Sequence, residues 1–287
     1  MQHHASYASN VVPTLVFVTS WFVIGAAIFG TLHWLFRSQQ QPFWRKDIRV
    51  DLCYWIIGPL LYGYVALILR SWAVDYAHLD RITEHIGRSL ADQPILLQAA
   101  IILFITDLFQ YWAHRLFHRN PLWRFHSIHH GPTRIDWFTS VRMHPINFIL
   151  YSTLINVVIS LAGFSPRALI ALLPFNTFYG FLVHANLNWT FGPFRYLFAS
   201  PVFHRWHHTY ADQGGERNFA PTFPFLDLLF GTFYMPKDRW PSDFGIDGRA
   251  MPDHLLGQLW YPFARRRQLD DTDRPPVHVA VASRNES

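Results

Sequence analysis

Histidines recur at fixed spacings in the middle of this chain of 287 residues. FHSIHH at 125–130 and FHRWHH at 203–208 both carry the pattern His-x-x-His-His, and HRLFH at 114–118 carries His-x-x-x-His. Side chains three and four residues apart share one face of a helix, so each pattern predicts a row of imidazoles on a helix. Because imidazole is the commonest metal ligand in proteins, these rows predict a metal site.

The surroundings of these histidines restrict the kind of metal site. Eight histidines are too many for a single tetrahedral zinc ion, which takes four ligands. Between residues 93 and 211 the sequence has only two carboxylates, Asp107 and Asp136, which excludes a di-iron site built on Glu-x-x-His pairs. The single cysteine, Cys53, excludes a cysteine-based zinc or iron–sulfur site. The residues therefore predict a His-rich site for two iron-class ions, with zinc as the alternative metal in purified protein.

Long apolar segments must position the histidines. The chain is 51% hydrophobic and only 15% charged, whereas soluble domains carry about 25% charged residues. Uncharged or nearly uncharged runs occupy 11–36, 53–69, 94–114, 146–162 and 168–183. A membrane-spanning helix needs about 20 apolar residues, so the last two are short for full spans. They are joined by GFSPR, in which Ser165 and Pro166 resemble an N-cap and a first helical residue, and we predict a tight helical hairpin there.

This layout predicts an all-α integral membrane bundle of three to five membrane segments with a helical cap that carries the dimetal site. We divide the chain into N-terminal membrane helices (1–93), a catalytic domain (94–264) and a disordered polar tail (265–287). The alternative, a soluble protein with buried helices, is disfavoured by five such runs. The amino terminus shows no signal-peptide pattern.

The charges indicate orientation. The net charge of +5 is modest and the basic residues form no single stripe, so we predict no nucleic-acid binding. Arginines cluster after the first apolar run, as Arg37, Arg45 and Arg49, and after the third. By the positive-inside tendency, the His-rich segments face the cytoplasm, and we expect an integral protein of a bacterial inner membrane.

The three histidine segments resemble, in order and spacing, the histidine boxes of the fatty acid hydroxylase/sterol desaturase superfamily. The likeness runs from about Asp107 to Tyr234 and includes VRMHP at 141–145, VHANLNW at 183–189 and LDLLFGTFY at 226–234. It implies a membrane-embedded helical fold with a cytoplasmic pair of iron ions. It also implies a non-haem di-iron oxygenase that uses O2 to hydroxylate, desaturate or oxidatively demethylate a fatty acyl or sterol-like lipid.

The resemblance also implies which residues hold the metals. Carried over position by position, the ligands are His114, His118, His126, His129, His130, His184, His204, His207 and His208, and His144 is a further candidate. Asn188 stands where some members have a second histidine one helical turn after His184, so we predict that one metal either binds Asn188 through water or has an open position there.

Supporting residues around the ligands are also predicted. On one helix face with His114 and His118, Asp107 is predicted either to accept an imidazole N–H or to cap polar backbone. Asn218 occupies a family element in the loop after the last box. The sequence HPIN at 144–147 departs from the frequent HPLE form, and Leu226 replaces a frequent tryptophan.

The partners follow from the same features. An apolar lipid is expected to enter from the bilayer into a slot between the spans. Apolar side chains of 137–151 and 172–191 are candidates to line this slot, although the same residues could equally be ordinary core residues. The sequence has neither a glycine-rich dinucleotide fingerprint nor a haem-binding reductase module, so a separate ferredoxin, cytochrome b5-like protein or flavoprotein is expected to supply electrons. A zinc-dependent membrane hydrolase and a haem-type electron carrier remain alternatives, although no glutamate base lies within 85–215. The lipid and the choice among the three reactions stay open.

Overall fold

The computed structural model of the protein describes residues 2–45, 47–76, 90–247 and 250–264. The predicted tail, 265–287, lies outside the described residues, as do residues 77–89 of the polar link between the second and third apolar runs. Within the described ranges the regular structure is helical and no strand occurs, which confirms the all-α prediction. The helices are α1 (Gln2–Phe36), α2 (Ile48–Ile57), α3 (Gly63–Tyr76), α4 (Ile95–Phe117), α5 (Trp123–His130), α6 (Pro145–Leu161), α7 (Pro166–His184), α8 (Pro201–His207), α9 (Phe225–Leu229) and α10 (Leu255–Trp260).

Shorter turns connect these helices. A π-helical turn, Gly58–Tyr62, joins α2 to α3. Turns of 3₁₀ helix occupy Trp137–Val141, Gly192–Tyr196, Ala211–Gln213 and Tyr261–Phe263. The first of these turns lies between α5 and α6 and contributes to the site described below.

Three segments are long and apolar enough to cross a membrane: Leu15–Phe36, Ile48–Leu69 and Ile95–Phe117, of 22, 22 and 23 residues. Only 17% of the most apolar stretch of the first is buried inside the protein, so its apolar surface faces outward. A soluble protein does not expose so much apolar surface, whereas a bilayer covers it. These helices therefore identify a membrane protein. The second segment begins earlier than predicted because it includes the carboxylate of Asp51, which is fully buried.

The helices α6 and α7 follow each other through the short link predicted for them. Ser165 caps α7 by accepting a hydrogen bond from the amide of Arg167 (3.3 Å), and Pro166 is the first helical residue, as predicted. The packing differs from a tight hairpin, because both helices pack on α4 and α6 also packs on α3. The apolar stripes of α6 and α7 are buried against a third helix rather than chiefly against each other.

An aromatic core fixes α1 against the helix that carries His184. Phe29 of α1 stacks on Trp137 with ring centroids 5.9 Å apart and meets Phe181 of α7 edge to face, also at 5.9 Å. All three side chains are buried. Within the segments proposed to line a lipid slot, Trp137 and Phe181 thus belong to the packed core.

Candidate metal centre

Four helices of the described structure end at one place, and their last turns carry histidines. His114 lies in the last turn of α4, His184 ends α7, and the final turns of α5 and α8 belong to the two His-x-x-His-His segments. The buried histidines of this region are His114, His118, His126, His129, His130, His184, His204, His207 and His208. A helix carries a partial negative charge at its C-terminus, so four converging C-termini favour a cation at this place.

The nine histidines form two groups. Site A contains His114, His118, His126, His130 and His207. Site B contains His129, His184, His204 and His208. Within each site the potential ligand atoms lie within 4.8 Å of one another, and among the described residues neither site includes a carboxylate or a thiolate. The sites adjoin, since the rings of His130 and His208 stack with centroids 4.4 Å apart. The structure thus brings together all nine histidines that the family resemblance implied.

The grouping explains the repeated His-x-x-His-His spacing. In the first copy, His126 and His130 belong to site A while His129 belongs to site B. In the second copy the roles are exchanged, because His204 and His208 belong to site B and His207 to site A. Residues i and i+4 point in similar directions on a helix, whereas i+3 and i+4 differ by about 100°. Each short helix therefore contributes to both sites, with two histidines in one and a single histidine in the other.

Hydrogen bonds fix the tautomers of five imidazoles. Each uses Nδ1 toward an oxygen: His114 toward Phe219 O (2.8 Å), His126 toward Asn147 Oδ1 (2.8 Å), His129 toward Arg142 O (3.1 Å), His184 toward Gly180 O (2.7 Å) and His207 toward Arg217 O (2.7 Å). A carbonyl oxygen only accepts, so Nδ1 carries the hydrogen in each ring. The Nε2 atom then presents a lone pair, which is the form that binds a metal.

The arrangement of these lone pairs fits metal ions. The Nε2 atoms of His114 and His126 are 3.0 Å apart, and those of His129 and His184 are 3.2 Å apart. No hydrogen stands between either pair, so the lone pairs repel unless a cation lies between them. Imidazole nitrogens about 2.0–2.1 Å from one metal ion lie about 2.9–3.4 Å apart at ordinary coordination angles. The Nε2 atom of His207 is also buried without a hydrogen-bond partner. Both sites fit the binding of a metal ion.

Burial keeps these imidazoles neutral. Desolvation, together with neighbouring imidazoles, lowers the pKa of His130, His207 and His208 well below the ordinary 6.5. The same holds for His118, His126, His129 and His204. Neutral rings at neutral pH are available as ligands without prior loss of a proton.

We expect the metal-free protein to lose stability as the pH falls below about 6.5. The unfolded chain binds protons on these histidines near pH 6.5, whereas the folded chain does not, because their folded pKa values are lowered. The contribution of these histidines to the free energy of unfolding is therefore fully present above about pH 6.5. It decreases as the pH falls from 6.5 toward the folded pKa values, by about 1.4 kcal/mol per pH unit for each such histidine. Thermal unfolding of the metal-free protein in detergent between pH 5 and 8 measures this. A midpoint that stays constant or rises on acidification would contradict the expectation.

Asp227 holds the loop that orients His114 and was not predicted from the sequence. Its carboxylate accepts from the amides of Phe219 (2.8 Å) and Ala220 (2.9 Å) and from the hydroxyl of Thr232 (2.7 Å), and the residue is fully buried. Burial raises the pKa of Asp227 to about 6. Since the carbonyl of Phe219 accepts from His114, Asp227 acts on site A through the backbone. Its only sequence signal was its place in LDLLFGTFY.

Two predicted supporting residues act on loops rather than on imidazoles. Asp107 accepts a hydrogen bond from the amide of Phe223 (2.9 Å), so of its two predicted roles the structure shows the backbone one. Asn218, at a positive φ of 60°, bonds the main chain of Phe203 and of Tyr234. It thereby joins α8 to the segment that follows the loop.

Two further candidates lie away from the ligand groups. His144 caps α6: its Nδ1 accepts from the amide of Ile146 (3.2 Å), and its Nε2 therefore donates to the carbonyl of Leu259 (3.1 Å). Asn188 was placed one helical turn after His184, but α7 ends at His184 and Asn188 is exposed. The predicted helical geometry at Asn188 is wrong, because Ala185 leaves the helix with an extended ψ of 144°.

Comparison with known proteins places this centre in a family. Residues 99–232, which include all nine histidines, match the model of the fatty acid hydroxylase family. The matched segment, 134 of the 287 residues, belongs to the fatty acid hydroxylase family. Among its relatives within this superfamily, ornithine lipid hydroxylase OlsE of Rhizobium tropici is 31% identical over 189 residues, covering 66% of this chain and 57% of that protein.

More distant relatives belong to the same superfamily. The alkylglycerol monooxygenase of Homo sapiens is 31% identical over 140 residues, and the very-long-chain aldehyde decarbonylase GL1-4 of Oryza sativa subsp. japonica is 30% identical over 147 residues. These matches cover 47% of this chain, and 30% and 23% of the respective proteins. The chain thus spans less than two thirds of the length of the relatives it matches. No solved structure matches the chain significantly.

Proposed function

We propose that the protein is a membrane-bound, non-haem di-iron oxygenase that oxidises an unactivated C–H bond of a lipid with dioxygen and external electrons. The observation that carries the proposal is the pair of adjoining all-histidine sites with converging Nε2 lone pairs. Family membership supports it, as do relatives whose names are lipid hydroxylase and monooxygenase. Because the match to the ornithine lipid hydroxylase covers 57% of that protein, whereas the matches to the alkylglycerol monooxygenase and the aldehyde decarbonylase cover 30% and 23% of theirs, we propose hydroxylation of a lipid as the reaction.

The residues of the site prepare it for this chemistry. When bound, a pair of reduced iron ions would supply the electrons and Lewis acidity that dioxygen chemistry requires. The Nδ1 hydrogen bonds of His114, His129 and His207 hold their rings in the metal-binding tautomer. The buried surroundings exclude bulk water, which limits side reactions of a strong oxidant. A lipid substrate reaches the site from the bilayer, since α4 leads from the apolar zone to His114.

Two other functions fit the geometry less well. A zinc hydrolase needs a carboxylate base beside the metal, and neither site contains one among the described residues. A bis-histidine haem needs two ligands on opposite sides of its iron, about 4 Å apart with the macrocycle between them. The Nε2 atoms of His184 and His204 are 3.0 Å apart and leave no room for that plane.

The proposal includes a separate electron donor of the ferredoxin, cytochrome b5-like or flavoprotein type, and a histidine centre that faces the cytoplasm. The segment after α4 supports this orientation, because Arg119 and Arg124 are exposed there and no carboxylate occurs between Asp107 and Asp136.

We expect purified protein to carry two metal ions per chain and to add one oxygen atom to a membrane lipid. Mass spectrometry of lipids from cells with and without the protein, grown under ¹⁸O2, measures the reaction, and elemental analysis of the folded protein measures the ions. A product carrying one ¹⁸O atom supports hydroxylation. A product that has lost two hydrogens and gained no oxygen would instead identify the reaction as desaturation. Unchanged lipids, or fewer than two ions bound by fully folded protein, would contradict the proposal.

A further inference from the structure

A buried ion network connects the N-terminal helices to the metal centre. It contains Arg45, just before α2, and Asp51 in the first turn of α2, with Asp136 and Arg142 at the two ends of the 3₁₀ turn Trp137–Val141. Their exposed fractions are 3%, 0%, 6% and 2%. Arg45 and Asp51 precede the segment that matches the family model, 99–232. The positive-inside interpretation counted Arg45 as an orientation signal, but Arg45, like Arg142, is engaged in buried pairs.

The contacts of the network fix both ends of the 3₁₀ turn. Arg45 binds Asp136 through two nitrogens (2.5 and 3.0 Å), and Asp136 in turn accepts from the amide of Phe138 (2.9 Å) at the start of the turn. At the other end, Nε of Arg142 donates to Asp51 (2.6 Å). Asp51 also pairs with Arg45, so one carboxylate of α2 binds both arginines.

The main chain of Arg142 reaches the metal centre directly. Its carbonyl oxygen accepts the Nδ1–H of His129 at 3.1 Å, which fixes the tautomer and the plane of a site B ligand. A carbonyl at the end of a short turn keeps its direction only if the turn is held on both sides. The side chain of Arg142 supplies that restraint through Asp51, since both atoms of the pair belong to buried residues.

We propose that Arg142 is a positioning residue for His129, and that α2 supports site B indirectly through the ion pair between Asp51 and Arg142. The inference rests on the proposed function, because it assigns a role toward a bound metal. A buried ion pair is weak evidence for a contribution to the stability of the fold, since the cost of desolvating both charges offsets much of their attraction. Its geometry is specific, however, and loss of a group that orients a ligand typically weakens metal binding by about 10–100-fold.

The test uses Arg142→Met and titrates Zn²⁺ into metal-free, full-length protein in detergent. The substitution keeps the carbonyl of residue 142, and Asp51 stays paired with Arg45, so no buried carboxylate is left alone. We expect two binding events in the wild type and a weakening of about 10–100-fold in one of them in Arg142→Met. Asp227→Asn is the matched comparison, because Asp227 acts on His114 of site A and should weaken the other event.

Double variants assign the weakened event to a site. Effects on one site do not add, whereas effects on separate sites do. Since His184 belongs to site B, we expect Arg142→Met to cause little further loss of Zn²⁺ affinity in a His184→Ala background. In a His207→Ala background, which disrupts site A, we expect Arg142→Met to weaken the Zn²⁺ binding that remains at site B. Arg142→Lys, which keeps the charge, should show a smaller loss with the same site preference, and it replaces Arg142→Met if that variant does not fold.

Each result decides the inference. A residue with only a structural role would weaken both binding events together, or neither, and either outcome would overturn the proposal. A wild type that binds fewer than two Zn²⁺ ions would overturn the proposed dimetal function itself. A wild type that binds two ions, with an Arg142→Met variant that binds them equally well, would leave the proposed function intact and reject the role of Arg142.

Discussion

Replacing His207 by alanine is expected to reduce lipid turnover at least about 100-fold, beyond the usual cost of losing an orienting partner. His207 is the one histidine that the second His-x-x-His-His segment contributes to site A. Its Nδ1 donates to the carbonyl of Arg217 at 2.7 Å, while its Nε2 is buried and has no hydrogen-bond partner. The variant therefore removes a preoriented lone pair from a site in which no described carboxylate or thiolate replaces it. Membrane insertion should be unchanged, because the spans depend on apolar runs that the substitution does not alter.

The measurement compares turnover, metal content and membrane yield of His207→Ala with those of the wild type. His254→Ala is the matched control, since it makes the same substitution at a histidine whose side chain is 68% exposed and lies outside both sites. We expect the control to behave as the wild type. A His207→Ala protein that keeps two ions and more than a tenth of the turnover would exclude His207 as a ligand.

The rows of histidines were predictable because side-chain chemistry and helix periodicity act over a few residues, whereas His184 was implied by the family resemblance alone. His126, His129 and His130 are close in the sequence, and a single helical turn determines which faces they occupy. Apolar runs of spanning length likewise predicted α1 and α4, since a bilayer imposes the length. The division into two sites was not predictable from the spacing alone, because it depends on how α5 and α8 approach each other.

The supports of the ligands left little trace in the sequence. His114, His184 and His129 donate to main-chain carbonyls of Phe219, Gly180 and Arg142, and any residue provides a carbonyl. Asp51 shows the opposite case: its charge excluded it from the apolar run that was counted as a span. Only the fold brings Arg45 and Arg142 to it and makes its burial possible.

At His144 and Asn188 the local sequence pattern is insufficient, because where α6 begins and where α7 ends determine the position of each side chain. The motif HPIN was compatible with a ligand at its first position, but the proline starts α6 and the imidazole caps that helix. Asn188 would share a face with His184 only if α7 continued. Instead the amide of Leu187 bonds the carbonyl of Ala185, and the chain turns away from the helix axis.

His184→Ala and Asn188→Ala form a pair of substitutions with opposite expected outcomes. His184 is one of the four histidines of site B, and its Nε2 lies 3.2 Å from that of His129 and 3.0 Å from that of His204. Its Nδ1 donates to the carbonyl of Gly180 at 2.7 Å, so the reactive lone pair is fixed toward the metal position. We expect His184→Ala to lose the ion of site B and to reduce turnover at least about 100-fold, more than removal of an orienting partner.

Asn188→Ala is expected to retain metal content and turnover within about twofold of the wild type, because exposed side chains away from a site contribute little. Both variants are measured in the same membranes for ions per chain, Zn²⁺ binding and lipid product. Site A keeps its five histidines in each variant, so one ion per chain should remain in His184→Ala. Full metal content with near-normal turnover in His184→Ala would show that His184 is not a metal ligand of site B. Strong loss in Asn188→Ala would instead mean that α7 extends past His184 when metal is bound, which brings the amide to the site.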